Sequence, residues 1–497
     1  MSLKTLKIFP TPLAADLSEI LRSGTPLTTG QRLRLVAQLS WPAIMAQLSA
    51  ILMEYIDASM VGSLGANASA SIGLVATTTW LFWGLGGALS TGFSVQVAHQ
   101  IGAGRDDAAR SVFSQAITCV VALGAVLAIT GVSISGHLPG WLGGNDDINA
   151  GSTAYFAIVT ASMPLCYLTF LASDMLRCSG NMIIPGAMNV AMCVMDVIFN
   201  SFLIFDTHTV AGITMPGAGL GVAGAAIGTA SAEFVTGTIL LYYIMRRSPR
   251  LNFRSKHFSL RLTAGTVRRA LKISAPIGAE RIMMCGAQIL TTVIVAPLGT
   301  AAIAANSFGI TAESLCYMPG YGISGAGTTL IGQSLGAGRR DLMRSFGKIC
   351  ITLGIVVMTV MGVVLWLGAP LMMSIFTPDH TVRALGTAAL RIEAFAEPMF
   401  AAAIVTYGVM VGAGYTLVPS AINLCSIWVV RLTLAALLAP SMGLNGVWLA
   451  MCIELIVRGA VFLIVFARGR WMRKPMTISP GEAEQLMESD KNAPYVE

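Results

Sequence analysis

Charge is what this sequence has least of: Asp, Glu, Lys and Arg make up 11% of its 497 residues, where soluble domains carry about 25%. So few charges cannot give a chain of this length a water-facing surface, which excludes an ordinary soluble enzyme. The nine cysteines, at positions 119, 166, 178, 193, 285, 316, 350, 425 and 452, form no CxxC pair. Neither a zinc site nor a disulfide framework is legible in them. The five histidines, His99, His137, His208, His257 and His380, lie at span ends or in loops with no metal-site partner at helical spacing. A GxxxxGK[ST] phosphate loop is missing, and with it ATP as the energy source. The first thirty residues mix charges with Pro and Ser and hold no sustained apolar core. They read as a tail ending in a short surface helix, not as a signal peptide.

What is present is apolar. Hydrophobic residues make up 55% of the chain, and the mean hydropathy is +0.73. The apolar runs are continuous over about 20 residues, the length of a membrane helix, and do not alternate as barrel strands do. They place spans near 39–63, 69–98, 112–136, 153–174, 182–205, 219–245, 270–297, 301–333, 346–375, 386–410, 417–440 and 445–468. The 52 glycines and 27 methionines suit close helix packing and adaptable apolar surfaces.

The net charge of +7 has a topological reading. Nine Lys/Arg and no acid fall between Arg246 and Lys272. Further basic clusters sit at Lys4/Lys7, Arg32/Arg34, Arg105/Arg110, Arg339/Arg340/Arg344 and Arg468/Arg470/Arg473/Lys474. The intervening loops hold Asp146, Asp147, Asp206 and Asp379, with Arg383 as the basic exception. This alternation follows the positive-inside rule and puts the basic loops beside cytoplasmic headgroups. The expected partner is therefore the lipid bilayer and not nucleic acid. Both termini are expected in the cytoplasm, and the expected location is a plasma membrane, the inner one in a Gram-negative cell.

The two halves repeat at a constant offset. Adding 234 to the residue number takes Ser40-x-Pro42 onto Ser274-x-Pro276 and Leu64-Gly65 onto Leu298-Gly299. The same shift takes Gly102-Ala103-Gly104-Arg105 onto Gly336-Ala337-Gly338-Arg339, Pro164 onto Pro398, Gly180 onto Gly414, Pro185 onto Pro419 and Asn189 onto Asn423. One offset across five spans marks a duplicated unit. The expected fold class is an all-α integral membrane protein of twelve transmembrane helices in two pseudo-symmetric six-helix lobes around a central cleft. The expected divisions are a cytoplasmic tail over 1–38, an N-lobe over 39–245, a basic linker over 246–269, a C-lobe over 270–468 and a cytoplasmic tail over 469–497. Both lobes have the same orientation, the design of parallel-repeat transporters. Secondary transport leads, and a complete pathway in one chain predicts a monomer.

An ion-driven carrier needs ionisable groups inside the membrane, where each costs roughly 2.5–3.5 kcal/mol on insertion scales. Glu54 and Asp57 share a face of the first span. Asn189, Asp196 and Asn200 stand at i, i+7 and i+11 in the fifth, within a stripe roughly 40° wide at about 100° per residue. A carboxylate flanked by two amides binds a proton or a small cation, or else serves as interhelical glue. By the same offset Asp57 meets Thr291, Asp196 meets Val430 and Asn200 meets Leu434, while Asn189 keeps Asn423. The carboxylates survive in one copy only, which points to the N-lobe as the coupling lobe. The C-lobe offers Glu280 and Arg281, Glu313, Glu393 and Glu397, Arg431, and Glu454 with Arg458. Glu313 and Glu397 either meet a cationic substrate or line a packed interface. Glu454 and Arg458, at i and i+4, pair along their helix. Asp174 and Arg177 pair or reach the interface. Met283-Met284 is packing, or an apolar patch suited to varied ligands. The Gly-Ala-Gly-Arg copies read as tight turns.

Pro42, Asp57 and Val61-Gly62-x-Leu64-Gly65, the duplicated Gly-Ala-Gly-Arg, and Gly180-x4-Pro185-x3-Asn189 with its copy Gly414-x4-Pro419-x3-Asn423 together resemble the MATE family, the multidrug and toxic compound extrusion transporters, of bacterial type. The resemblance covers roughly residues 35–470. It implies two six-helix lobes, no cofactor, and export of small cationic amphipathic compounds against H⁺ or Na⁺. It assigns ion coupling to the first-span acid, here Asp57, and to a fifth-span polar pair, here Asp196 and Asn200 in exchanged order. Members with a cation site in the second lobe carry a seventh-span Glu where this chain has Met284, with Glu280 one turn earlier. Glu54, Glu280, Met284, Glu313 and Glu397 are the expected cleft candidates. A lipid-linked-precursor flippase and a major-facilitator carrier are the alternatives within transport, and a membrane receptor or scaffold the alternative outside it.

Overall fold

The computed structural model describes residues 13–23, 26–210, 213–253 and 262–472, with side chains left out at 13–16, 208–210 and 213–215. His257, Lys4, Lys7, Arg473, Lys474 and the middle of the basic linker lie outside the described residues.

A surface helix, α1 (Leu13–Arg22), precedes α2 (Thr29–Gly62), α3 (Ala66–Gly102) and α4 (Asp106–Ile134). After a single turn, α5 (Leu138–Trp141), come α6 (Asp146–Ala161) with α7 (Met163–Cys178), and then α8 (Ile183–Leu203). An antiparallel hairpin of β1 (Asp206–Val210) and β2 (Ile213–Ala218) leads to α9 (Gly221–Arg247). The second half holds α10 (Ala264–Val295), α11 (Thr300–Gly336), α12 (Arg340–Phe376) and α13 (His380–Glu393) with α14 (Glu397–Gly412). It closes with α15 (Leu417–Cys425), a π-helical turn over Ser426–Arg431, α16 (Leu432–Met442) and α17 (Leu444–Arg468).

Nine of the described stretches are long and apolar enough to cross a membrane, and the bent pairs α6/α7 and α13/α14 bring the count to eleven. The twelfth span is α11, diluted by Glu313 and small polar residues. Both of its ends stand at the repeat offset from those of α3, and so do the starts of α12, α13, α14 and α15 from those of α4, α6, α7 and α8. The bends of 50° and 60° fall where Pro164 and Pro398 occupy the second positions of α7 and α14. Proline there removes a helix hydrogen bond and forces the break.

The helices outrun the apolar windows because their ends are amphipathic. In α2 the helix begins at Thr29, ahead of the apolar core, behind a capping box. Thr28 Oγ1 accepts from the Gln31 amide at 3.3 Å, and Gln31 Oε1 accepts from the Thr28 amide at 2.9 Å. The outer faces of α4 and α12 leave Ile129 70%, Leu371 67% and Ile375 75% exposed, an apolar surface that only lipid matches. The 206–218 hairpin was not legible, since its strands are only five and six residues long and Asp206, Thr207, Pro216 and Ala218 are exposed.

One cluster around Phe93, Phe113, Phe156 and Tyr167 fills the first lobe, and one around Trp448, Leu365 and Leu390 fills the far part of the second. The lobes meet along two equivalent seams, α3 with α10 and α11 with α2. Gln96 Nε2 donates to the Thr266 carbonyl at 3.3 Å in the first, and Tyr55 donates to the Thr311 carbonyl in the second. At the end bearing the basic loops, α3 and α11 cross in backbone contact. A Cβ on Gly102 would lie 2.1 Å from the Gln333 carbonyl oxygen, and one on Gly336 would lie 2.1 Å from that of His99. Only glycine permits either approach. His99 Nε2 bonds the Gly412 carbonyl at 2.9 Å, and Gln333 Nε2 donates to the Cys178 carbonyl at 2.8 Å. These are one interaction in two copies, donor and acceptor both related by the repeat offset. The Gly-Ala-Gly-Arg turns beyond them carry Gly104 and Gly338 at φ +74° and +73°. Buried Leu17 and Leu21 of α1 pack over this end of the bundle.

Candidate functional site

Three candidates from the sequence converge inside the first lobe. Asp57, half-buried on α2, and Asp196 and Asn200, fully buried on α8, are joined through one amide nitrogen. Asn200 Nδ2 donates to Asp57 Oδ1 at 2.8 Å and to Asp196 Oδ2 at 3.0 Å. The i, i+4 spacing on unbroken helix puts Asp196 and Asn200 one above the other. Gly228 of α9 makes room for the amide, since a Cβ there would lie 1.9 Å from Asn200 Oδ1. Asp196 Oδ1 and Asn200 Oδ1 are buried without a hydrogen bond to any described residue. Two carboxylates share one amide donor, and Thr229 is the further hydroxyl acting on Asp196. A proton or a monovalent cation bound among them relieves the repulsion and satisfies the oxygens.

Asn189 is not part of this group. It lies two turns nearer the start of α8, half-buried and outside the hydrogen bonds of the cluster. Glu54 is exposed on the same stretch of α2, one residue before Tyr55, whose hydroxyl donates to the Thr311 carbonyl of the opposite lobe.

In the second lobe Glu280 of α10 is buried and doubly held. Tyr407 donates to Oε2 at 2.9 Å and Asn423 Nδ2 to Oε1 at 2.7 Å. The first lobe has the same motif, a carboxylate on the lobe's first span bound by an asparagine on its fifth. The pair has slid, because Glu280 stands eleven residues before Thr291, the position equivalent to Asp57. Eleven residues are about three turns, roughly 16 Å along the axis. Met284 packs beside Ala287, Ile427 and Leu432, within its own lobe.

Glu313 and Glu397 sit inside the second lobe, both buried, near the buried Glu393 and Glu454. The charges acting on Glu313 are those of Arg431 and Arg458. Arg458 Nε lies 3.1 Å from Glu454 Oε1, the intrahelical pair expected, and Ser426 donates to the same oxygen at 2.5 Å. All four carboxylate oxygens of Glu393 and Glu397 are without a hydrogen bond to any described residue. Asp174 is 3.8 Å from Arg177 and accepts from Ser90 at 2.7 Å.

Two features escaped the sequence reading. Glu233 of α9 is buried in the first lobe beside Cys166, and the lone acid in an apolar span was the signal available. His99, by sequence a bland span-end residue, is fully buried in the crossing between the lobes. No cluster of three or more His, Cys, Asp or Glu suited to a metal occurs among the described residues.

The sequence profile described as MatE matches twice, over residues 42–202 and 276–437, and its second copy begins where the repeat offset carries the start of the first. A probable multidrug resistance protein NorM of Thermotoga maritima is 26% identical over 446 residues, covering 88% of this chain and 92% of the relative. A MOP superfamily transporter from Pyrococcus furiosus superposes with a TM-score of 0.83 at 19% identity, over 92% of this chain and 98% of its own. The Vibrio cholerae MATE transporter VcmN in its bent form gives 0.79 at 19%, over 90% and 99%.

Proposed function

This chain belongs to the MatE family, a multi-pass membrane transporter and not an enzyme, and we propose that it exports small cationic amphipathic compounds in exchange for H⁺ or Na⁺. The observation that carries the reading is the Asn200 bridge between Asp57 and Asp196. It is a charged group in a place where charge is costly unless it works. Membership removes the major-facilitator alternative.

In the proposed cycle, Asp57 as a free carboxylate favours a cationic compound in the space between the lobes. A proton or Na⁺ arriving from outside neutralises the Asp57/Asp196 pair and reorients the Asn200 amide. That change alters packing between α2 and α8, and the compound is released outward. The two lobes, 39–245 and 270–468, rock about the crossing of α3 and α11. The basic loops and both termini face the cytoplasm of a plasma membrane, which is the inner membrane in a Gram-negative cell, and the monomer is the working unit. A coupling free energy of about 1–3 kcal/mol, a factor of 5–150, suffices to drive such a switch.

The test is efflux of ethidium from proteoliposomes under pH and Na⁺ gradients imposed separately, with Asp57→Asn beside the parent. Flux that follows one gradient and vanishes in the variant supports the reading and names the ion. Dye that ignores both gradients overturns it.

A further inference from the structure

Arg383, the basic exception on the side away from the basic loops, has no role in the cycle above. It stands in α13 with Thr387 and Arg391 at i, i+4 and i+8, on one face of the helix. Against this face α12 sets Trp366, Pro370 and Ser374 at the same spacing, running the opposite way. Two hydrogen bonds tie the stripes at their ends. Arg391 Nε donates to the Trp366 carbonyl at 3.3 Å, and Arg383 Nη2 donates to the Ser374 carbonyl at 3.4 Å. Each carbonyl lies four residues before a proline, Pro370 or Pro378, which has no amide to close the helix bond. The arginines cap the two carbonyls that proline sets free.

Capping does not use them up. A guanidinium has five N–H donors, and hydrogen bonds to described residues take one from each. Neither arginine enters a salt bridge among the described residues. The nearest acid in sequence, Asp379, is turned to the Thr381 and Val382 amides. Between the stripes lies a groove of about 440 Å³, lined by Pro370, Ser374, Arg383, Ala384, Thr387 and Arg391. Beside it α12 exposes Leu367 and Leu371 to lipid, and Arg391 Cζ lies 5.0 Å from the centre of the Trp366 ring.

The groove stands at headgroup level. The 37 residues of α12 make about 55 Å of helix, against roughly 30 Å of hydrocarbon. Centred on the bilayer, each end clears the hydrocarbon by about 12 Å. Trp366, ten residues before the end at Phe376, is about 15 Å down, at the interface that Trp favours. The first lobe has none of this. The offset carries Arg383 to Asn149, Arg391 to Ala157, Pro370 to Gly136 and Pro378 to Gly144. The shared scaffold does not require the arginines.

We propose that this groove binds the phosphate of an anionic phospholipid in the leaflet opposite the basic loops. The donors left over on Arg383 and Arg391 take the phosphate oxygens, as guanidinium forks do, and the acyl chains lie along Leu371 and Leu367. Basic pockets between membrane helices hold anionic headgroups in this way. The site is separate from the Asp57 group, and its binding does not depend on the transport reading.

The test counts lipids on the purified full-length protein by native mass spectrometry, with phosphatidylglycerol and phosphatidylcholine of the same chains. The parent is expected to hold one phosphatidylglycerol that Arg383→Gln/Arg391→Gln loses. Affinity is expected to fall about fivefold for each arginine and about thirtyfold for both, while phosphatidylcholine binding is unchanged. Ala384→Glu adds a negative charge to the groove from an exposed position and leaves both carbonyl bonds in place. It is expected to lose the same lipid. Thermal unfolding separates binding from capping, because phosphatidylglycerol is expected to raise the parent's Tm more than that of either variant. Unchanged phosphatidylglycerol binding in the double variant or in Ala384→Glu overturns the proposal, and so does equal stabilisation of parent and variants. Displacement of the lipid by inorganic phosphate alone makes the occupant a free anion and overturns it too.

Discussion

The two lobes descend from one unit, and the way they differ separates scaffold from chemistry. What both copies keep is geometry: the proline-broken fourth spans, the glycine crossing, and the side-chain amide or imidazole nitrogen bonded to the opposite lobe's helix-end carbonyl. What they do not share is charge placement. In the first lobe, α8 is unbroken, and Asp196 and Asn200 stack one turn apart against Asp57. The equivalent stretch of the second lobe has Val430 inside a π-helical turn over Ser426–Arg431 and Leu434 in α16 beyond it. A π turn departs from the i, i+4 stacking that α8 keeps at this level, and neither Val430 nor Leu434 carries a polar group. The second lobe's asparagine contact is made instead by Asn423 to Glu280, three turns nearer the basic loops. Duplication kept the glycine crossing in both copies and the Asp57, Asp196 and Asn200 group in one.

The largest test of that contrast is Asp57→Asn against Glu280→Gln. The first is expected to cut gradient-driven efflux by about 5- to 150-fold, the range of coupling energies, and the second to leave gradient dependence in place with a smaller change in KM. Gly228→Ala comes next, because its Cβ displaces the Asn200 amide. Losing one hydrogen bond to a charged group costs about 1.5–3 kcal/mol, and efflux at low ion gradient is expected to fall accordingly. Gly102→Leu and Gly336→Leu test the shared part. Each forces the crossing apart, and spin-label distances across the basic-loop end are expected to lengthen equally in both. A response in only one of them breaks the symmetry argument. The smallest effect belongs to His99→Gln and Gln333→His, which exchange the two copies of one hydrogen bond. Either is expected to change efflux by no more than about twofold, because the bond is retained.

Much of the fold was legible because membrane spans are written as continuous apolar runs and the repeat as a constant offset. The Asp57, Asp196 and Asn200 candidates were legible because charge in such runs stands out and i, i+4 spacing fixes a common face. The rest depended on contacts between spans. Asn189 shared the polar stripe of Asp196 and Asn200, but the bundle brings only the end nearer Asn200 against Asp57. Glu280 gained its partners from α14 and α15, and no spacing within α10 announces them. His99 looked like a span-end residue because nothing local records that α11 crosses over it. The π turn left no mark in composition.

The claim that ion coupling lives in the first lobe is tested most directly by measuring both fluxes together. Proteoliposomes holding a pH- or Na⁺-sensitive dye would be given an outward gradient of the organic cation alone, and ion movement in the opposite direction recorded. Cation efflux is expected to drive inward ion movement in the parent and in Glu280→Gln, and none in Asp57→Asn. Ion movement that persists in Asp57→Asn and disappears in Glu280→Gln would contradict the claim.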